Sequence, residues 1–471
     1  MLDLLRNNTS NDPCLVDLYR NTISYKSLSE IAHLYRPHIS PRSLIFIIAN
    51  SSIKTIGLYV QALRSSAVVL LLDKSISSDY LQLLIDRFDP NIIAGEINQE
   101  HNLTGVLSSD SSDEFSLLTR HKNDLGIHKD IAILLTTSGS TSSPKLVKIT
   151  YENLLYNTKS ICSYLEIKPT DRHITTLPMN YTYGLSCINT HLLSGATVML
   201  NEDSVVTRDF WSKVNTLKPT TMSGVPFTYE VIIKAKLLST LGESSIIKLT
   251  QAGGRLSNKN KELLIRMCDK FSKLFYVMYG QTEATARISY VPPHAIKTKL
   301  ESIGVPIPYG SLYIKSENGD FTAKPNINGE IVYKGPNIFT GYASKLDDLQ
   351  QLENIEFLET GDIGYSDSDG YFYITSRKSN FAKISGKRIS LTDIDKIVEQ
   401  EGFQCVTISD NKKITINIEM KNLTSTSHQS LNSIKALVCN RASLHPSHVS
   451  IRVINEIPRL TNGKINKKEL G

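Results

Sequence analysis

The sequence predicts an α/β protein in which a large N-terminal domain of mixed and parallel sheets with helices, plus a β-rich subdomain, precedes a small C-terminal α+β domain. Its 471 residues exceed what one hydrophobic core usually serves. The first 130 residues alternate apolar runs with amphipathic segments, as in SLIFIIAN, IKTIGLYVQALRSSA and VVLLLD. This alternation is typical of parallel strands joined by crossover helices. From about Gly304, short strands with frequent Gly and Pro predict the β-rich subdomain.

These changes in the pattern of apolar, Gly and Pro residues suggest domain boundaries. We place the large domain at residues 1–376, with the β-rich subdomain at about 304–376, a short linker at 377–379 and the small domain at 380–471. In the small domain, SLTDIDKIVEQEG predicts a helix that Ser390 caps and Gly402 ends. The following CVTISDNKKITINIEM predicts a hairpin.

Composition restricts the classes of function. The apolar content of 40% with 21% charged residues is that of a soluble globular protein, and a net charge of +6 does not require nucleic acid. The six cysteines show no spacing that indicates zinc, which favours free thiols in a reducing compartment. The start, MLDLLRNN, lacks the pattern of a signal peptide, and no apolar run is long enough to span a membrane. We therefore expect a cytoplasmic protein.

The stretch TTSGSTSSPK, residues 136–145, combines hydroxyl side chains with a glycine and a lysine. Backbone N–H groups, hydroxyls and an ammonium together suit a phosphate. A Walker loop does not fit, because Pro144 precedes Lys145 and both flanks, IAILL and LVKIT, predict strands rather than a following helix. Taken alone, the Ser- and Thr-rich composition of the stretch favours a solvated linker.

Three further stretches carry polar groups at the ends of predicted strands or near the chain end. YGQTEATARISY places Glu283 beside Thr282 after a strand, a pattern that suits Mg²⁺ and phosphate as well as a helix cap. LETGDIGYSDSDGYF presents Asp362 in a Gly-flanked turn, where it could meet a ribose diol or be an ordinary loop aspartate. PRLTNGKINKKEL presents Lys464, which by itself is a solvated lysine.

Taken together and in this order, the four stretches resemble the adenylate-forming (AMP-binding) superfamily of acyl-CoA synthetases, aryl-acid ligases, luciferases and peptide-synthetase adenylation domains. The resemblance extends from about residue 25 to the end and is nearest to a stand-alone acyl-CoA or acyl-carrier ligase. It implies ATP-dependent activation of a carboxylic acid to an acyl-AMP with release of pyrophosphate. Transfer to a thiol, of CoA or of a carrier-protein phosphopantetheine, would follow. The implied cofactors are ATP, Mg²⁺ and the acceptor thiol.

The resemblance also assigns roles to single positions. Four positions have implied catalytic roles. Lys464 bridges the substrate carboxylate and the α-phosphate, and Glu283 ligates Mg²⁺. Thr282 touches the α-phosphate, and Lys145 contacts the terminal phosphates. The nucleotide-binding positions are those of the phosphate loop, the adenine motif and the ribose contacts: Thr137, Ser138, Gly139, Ser140, Thr141, Tyr279, Gly280, Asp362 and Arg377.

In the family's second step the small, mobile domain rotates about a hinge and presents its other face. Lys383 and Gly386 match that face, and Ser379 lies at the hinge, where the family generally has Asp or Lys. This difference leaves the energetics of rotation open. Ser142, Leu146 and Ser376 also replace usual glycines, although the donors of the phosphate loop remain.

The acid pocket is expected around the segment LPMNYTYGL. Its positions are Tyr181, Tyr183, Gly184, Phe227, Gly253 and Gly254. No Asp is available there to pair an α-ammonium, so an uncharged acyl or aryl acid is expected rather than an amino acid. Arg287 could pair an extra anionic group of the substrate or form a structural salt bridge.

Three alternatives stay open. The acyl group could pass to an amine, the substrate could be an amino acid, or the chain could be a degenerate binding protein. The last is disfavoured because Lys145, Thr282, Glu283, Asp362 and Lys464 are all present. The expected partners are a small carboxylic acid and, in one version, an acyl or peptidyl carrier protein, without nucleic acid.

Overall fold

The structure is a computed structural model that describes residues 3–5, 9–97, 108–112, 115–136, 145–316, 318–378, 381–384, 387–410, 413–419, 427–442, 444–460, 463 and 465–470. The chain forms two compact units. The first comprises Met1–Leu312 with Tyr333–Leu358, and the second comprises Tyr313–Val332 with Glu359–Gly471. The linker predicted at 377–379 and the domain limits on either side of it stay predictions.

The described helices, in chain order, are α1 (Tyr25–Leu34), α2 (Ile53–Arg64), α3 (Ser78–Phe88), α4 (Tyr151–Leu165), α5 (Thr182–Leu193), α6 (Arg208–Leu217), α7 (Pro226–Lys234), α8 (Leu238–Glu243), α9 (Asn258–Lys270), α10 (Leu391–Gln400) and α11 (Ser427–Arg441). Within the described ranges, no helix is both long and apolar enough to cross a membrane.

The described strands are β1 (Pro13–Val16), β2 (Thr22–Ser24), β3 (Leu44–Ala49), β4 (Val68–Asp73), β5 (Ile92–Gly95), β6 (Ser108–Ser112), β7 (Phe115–Thr119), β8 (Ile131–Thr136), β9 (Leu146–Thr150), β10 (Arg172–Ile174), β11 (Thr197–Met199), β12 (Thr221–Gly224), β13 (Lys248–Gln251), β14 (Leu274–Tyr279), β15 (Ser289–Val291), β16 (Val305–Pro306), β17 (Ser311–Lys315), β18 (Phe321–Thr322), β19 (Gly329–Lys334), β20 (Tyr342–Ala343), β21 (Leu358–Ser366), β22 (Phe372–Arg377), β23 (Phe381–Ile384), β24 (Lys387–Ser390), β25 (Cys405–Ser409), β26 (Ile414–Glu419) and β27 (Val449–Ile454).

One sheet of the first unit has eight strands in the order β20-β9-β8-β4-β3-β5-β7-β6. Strand β3 pairs in parallel with β4 and β5, and β4 pairs in parallel with β8. All of β3 is buried, as expected for a strand covered on both faces. Ser52 and Ser77 cap the crossover helices α2 and α3 through their side chains. The predicted alternation of strands and helices is confirmed here.

The other large sheet has nine strands in the order β16-β15-β14-β13-β12-β10-β11-β1-β2. Strands β12, β13 and β14 are parallel neighbours, so their carboxyl ends lie at one edge. Gly253 follows β13 and Gly280 follows β14 at that edge. In parallel sheets this edge is where ligands usually bind. The topology therefore brings the predicted adenine motif and acid pocket together.

The second unit contains a five-stranded sheet, β18-β17-β19-β21-β22, the pair β23-β24, and a three-stranded sheet, β25-β26-β27. The predicted helix is confirmed as α10, since the Ser390 side chain accepts from the Asp393 N–H and Gly402 has a φ of +89°. The predicted hairpin is confirmed as the antiparallel pair β25-β26. Isoleucines of β26, together with α10 and α11, form the core beneath it.

Candidate active site

The segment after β14 turns sharply. Gly280 is required there, because a Cβ atom at this position would lie 1.9 Å from the Ala286 carbonyl oxygen. A short 3₁₀ turn at Thr282–Ala284 follows, and Thr285 ends it with a φ of +60°. The turn keeps Thr282 and Glu283 half-buried at the carboxyl end of the sheet.

A buried asparagine holds this turn. The Asn337 Nδ2 donates to the carbonyl oxygens of Ala284 at 2.8 Å and Arg287 at 2.9 Å. The Thr285 hydroxyl donates to the Asn337 carbonyl at 2.7 Å, and the Tyr333 hydroxyl donates to the Asn337 Oδ1 at 2.7 Å. Since a buried polar group must be paired, these four bonds fix the backbone that carries the predicted magnesium ligand. Asn337 was not among the residues predicted from the sequence.

Glu283 lies in a cluster with Tyr342 and Lys145. The Tyr342 hydroxyl donates to the Glu283 Oε1 at 2.9 Å, and the Lys145 Nζ lies 3.7 Å from the centre of the Tyr342 ring. Strand β20 brings Tyr342 there, because it pairs with β9 directly after Lys145, with Ala343 opposite Leu146. Burial, then the charge and hydrogen bond of Glu283, raise the pKa of Tyr342 above its usual range. The phenol therefore remains a donor at neutral pH, and it orients the carboxylate.

The carboxylate of Glu283 fits a magnesium ion. Only its Oε1 has a described hydrogen-bond donor, so Oε2 is available as a ligand. No group of three or more His, Cys, Asp or Glu side chains suited to a metal occurs within the described ranges. Mg²⁺ commonly uses one or two protein carboxylates and takes its other ligands from water and nucleotide phosphates. A single carboxylate beside a phosphate-binding lysine matches that pattern.

The first turn of α5 lies against this turn. The hydroxyls of Thr182 and Thr282 are 3.2 Å apart, and Thr182 is the first residue of α5. Unpaired backbone N–H groups at a helix N-terminus favour negative charge. The predicted α-phosphate contact, Thr282, therefore lies in a setting suited to an anion.

Two glycines of the predicted acid pocket, Gly184 and Gly253, leave no room for a side chain. A Cβ atom at Gly184 would lie 2.1 Å from the Pro178 carbonyl oxygen, and one at Gly253 would lie 2.4 Å from the Tyr181 hydroxyl. The Tyr181 side chain therefore covers the space beside Gly253. Other predicted pocket residues lie nearby: Tyr183 is buried on α5, Phe227 is half-buried on α7, and Gly254 follows Gly253.

The predicted ribose contacts, Asp362 and Arg377, are opposite each other on β21 and β22 in the second unit. The Arg377 Nε donates to the Asp362 Oδ1 at 2.6 Å. The Asp362 side chain is 1% exposed, while that of Arg377 is 54% exposed. The pair presents one buried acceptor and one accessible donor, which suits a diol.

Some of the predicted site residues lie outside the described part of the chain: Thr137, Ser138, Gly139, Ser140, Thr141, Ser379, Gly386 and Lys464. Lys383 lies on β23 opposite Arg388, although its side chain is not described. Tyr279 ends β14, and its hydroxyl accepts from the Gln281 Nε2 at 3.1 Å. The adenine contact predicted for Tyr279 stays a prediction.

Comparison with known proteins supports the resemblance. The AMP-binding enzyme family matches residues 6–343. A long-chain-fatty-acid–CoA ligase of Bacillus subtilis is 27% identical over 321 residues, which cover 67% of this chain and 56% of that protein. A 2-succinylbenzoate–CoA ligase of Geobacillus is 30% identical over 277 residues, covering 57% and 53%. The match thus spans little more than half the length of these relatives.

A solved structure agrees in fold. The o-succinylbenzoate CoA synthetase of Bacillus subtilis, in complex with its acyl-adenylate intermediate, superposes with a TM-score of 0.78 at 20% identity, over 100% of this chain and 98% of that one. This similarity confirms the predicted fold class. Because the family match covers residues 6–343, well over half of the sequence, the chain belongs to the AMP-binding enzyme family.

Proposed function

We propose that the chain is an AMP-forming acid–thiol ligase. The observation that carries this proposal is the cluster at Glu283, where a carboxylate with one available oxygen lies beside Tyr342 and the Lys145 ammonium. The family and the named CoA ligases among its relatives support the same activity. The proposed substrates are ATP and a small carboxylic acid.

In the first step an oxygen of the acid attacks the α-phosphorus of ATP, and the bond from that phosphorus to pyrophosphate breaks. Two anions meet in this step, so catalysis depends on fixed positive charge and donors. Lys145 would neutralise the departing phosphates, Thr282 would donate to the α-phosphate, and Lys464 would bridge the acid and the α-phosphate. Bound Mg²⁺, held by Glu283, would supply further neutralisation.

In the second step the sulfur of a thiol attacks the acyl carbon, the thiol loses its proton to solvent and AMP leaves. Lys383 and Gly386 are proposed to act in this step after rotation about a hinge at residues 377–379. CoA is the acceptor we favour, since the named relatives are CoA ligases. A carrier-protein pantetheine or an amine is the alternative.

We also propose a cytoplasmic location. The six cysteines are free, and burial raises the pKa of Cys14, Cys187 and Cys405, which keeps these thiols protonated. Free thiols are typical of a reducing compartment.

The test is acid-dependent exchange between ATP and labelled pyrophosphate, over a broad panel of organic acids. Exchange with at least one acid is expected for the wild-type protein. Lys464→Ala should lose most of that exchange while retaining ATP binding in calorimetry. Lys468→Ala, four residues away, is the matched control and should behave as wild type. Exchange that is absent for every acid, or that Lys464→Ala does not reduce, would refute the proposal.

The acceptor is identified separately. With the best acid, release of AMP is measured after addition of CoA, a pantetheinylated carrier protein or an amine. Formation of an acyl-CoA supports the favoured version. Stimulation by the amine alone would replace the thioester step by amide formation.

A further inference from the structure

Arg287 is a buried cation without an anionic partner among the described residues. It is 3% exposed, and no ion pair of the described part of the chain includes it. Its Nη1 donates to the Ala286 carbonyl at 3.2 Å, and its Nη2 makes only a long contact of 3.4 Å with the Ser186 hydroxyl. Its Nε has no hydrogen-bond partner. The structural salt bridge considered for Arg287 is thus not found among the described residues.

The guanidinium is nevertheless held firmly in place. The Tyr183 ring stacks on it, with the Arg287 Cζ 4.0 Å from the ring centre. The Tyr183 hydroxyl is in turn 2.7 Å from the Thr250 hydroxyl, on β13. On the edge that joins Nε and Nη2, Nε has no partner and Nη2 has only the long bond to Ser186; two parallel N–H groups on one edge match the two oxygens of a carboxylate.

Arg287 also lines a small cavity between α4, α5 and the strands β12 and β13. Its volume is ≈ 20 Å³, enough for about one or two water molecules. Ser186, Ser223 and Thr250 contribute hydroxyl groups to its lining, although most of the lining surface is apolar and comes from residues such as Ile161 and Met222.

Other cationic candidates around the cavity are already paired or neutral. Lys248 forms an ion pair with Asp171 at 2.9 Å. Burial lowers the pKa of His191 to about 4 and that of His173 well below its usual value, so both rings are uncharged at neutral pH. Among the described lining residues, Arg287 is therefore the permanent cation that lacks a counter-ion.

The position of Arg287 relative to the proposed reaction centre follows from α5. Thr182 contacts Thr282, the proposed α-phosphate contact, and Ser186 contacts Arg287. Four helical residues separate the two contacts, a rise of about 6 Å. Arg287 therefore lies about one helical turn along α5 from the proposed α-phosphate contact.

We infer that the acid substrate carries a second carboxylate, which the Nε–Nη2 edge of Arg287 binds at the base of the acid pocket. This inference rests on the proposed function and departs from the sequence expectation of an otherwise uncharged acid. The desolvated guanidinium gains the anionic partner that the described residues do not supply.

The test uses the same exchange assay with matched acids: butanedioate against butanoate, pentanedioate against pentanoate, and aromatic acids with and without a second carboxyl group. The wild-type kcat/KM should be higher for the better diacid than for its monoacid by a factor of about ten or more. Arg287→Met should reduce that ratio by about the same factor. The matched control, Arg266→Met on an exposed position of α9, should keep the wild-type ratio.

Arg287→Lys provides a second variant if the methionine variant does not fold. It keeps the charge but loses the planar edge with two donors, so an intermediate ratio is expected. A wild-type preference for the monoacid in every pair, or an unchanged ratio in Arg287→Met, would overturn the inference while leaving the proposed ligase activity intact. Exchange with no acid at all would refute the ligase activity itself.

Discussion

The hydroxyl of Tyr342 is expected to set how well the protein uses magnesium–ATP. Tyr342→Phe removes the 2.9 Å hydrogen bond to the Glu283 Oε1 and keeps the ring on which Lys145 lies. Glu283 would then populate other rotamers, which would weaken its binding of Mg²⁺. The substitution therefore separates the orientation of the carboxylate from the contact with Lys145.

The magnitude follows from the surroundings of the bond. Hydrogen bonds to charged groups contribute about 1.5–3 kcal/mol. Tyr342 and Glu283 are both half-buried, so the lower end applies, and about 1.5 kcal/mol corresponds to a factor of roughly ten. We expect the Mg²⁺ concentration for half-maximal exchange to rise about tenfold, with a smaller change in rate at saturating Mg²⁺.

The assay is pyrophosphate exchange at fixed ATP, with Mg²⁺ titrated from below to above saturation. Tyr19→Phe is the control, since Tyr19 is 84% exposed and belongs to a turn near the N-terminus. If Tyr342→Phe shows the wild-type Mg²⁺ dependence, or an equal loss at every Mg²⁺ concentration, then Tyr342 does not orient Glu283 and the reasoning is refuted.

Three other substitutions test the frame of the site. Gly280→Ala should greatly reduce exchange and lower the melting temperature, because its Cβ would meet the Ala286 carbonyl oxygen at 1.9 Å; a variant with normal melting and activity would contradict the turn geometry. Asn337→Ala should destabilise the protein by about 1–3 kcal/mol in urea denaturation, because the buried Tyr333 hydroxyl loses its acceptor and the Ala284 and Arg287 carbonyls keep only the longer bonds from the Asn157 Nδ2; a loss below about 0.5 kcal/mol would be inconsistent with this role. The folded-state pKa of His191, about 4, lies below the value in the unfolded chain, which is about 6.5. The unfolded chain therefore binds more protons between these pH values, and the contribution of His191 to stability is lost as the pH falls from about 6.5 towards 4. Urea denaturation at pH 7 and pH 5 should therefore show a smaller pH-dependent loss for His191→Gln than for wild type, and equal losses would exclude burial of a neutral ring.

Local patterns predicted much of the fold. Ser390 and Gly402 define α10 because capping and termination depend on neighbouring residues. The apolar runs of β3 and β4 likewise reveal buried parallel strands, since covering on both faces removes polar positions. The motif that contains Glu283 was also recognisable, because its residue types follow from phosphate and metal chemistry.

The pairing of strands that lie far apart in the sequence could not be predicted from such local patterns. β1 joins the nine-stranded sheet beside β11, with Leu15 opposite Val198, and periodicity gives no information about such partners. Tyr342 and Asn337 were missed for the same reason, since each acts on a turn more than fifty residues earlier in the chain. Within the sequence, the signal was their position in the segment GPNIFTGY, which links β19 to β20 and includes the first residue of β20. Arg287 was noticed, but its lack of a partner became visible only in three dimensions.

The central claim is that the carboxylate of the acid attacks the α-phosphorus of ATP. The most direct measurement follows ¹⁸O from a doubly labelled acid carboxylate during complete turnover with the acceptor. If the acyl-adenylate forms and the acceptor then displaces AMP, mass spectrometry should find one labelled oxygen in the AMP. Unlabelled AMP, or ADP in place of AMP, would contradict the account.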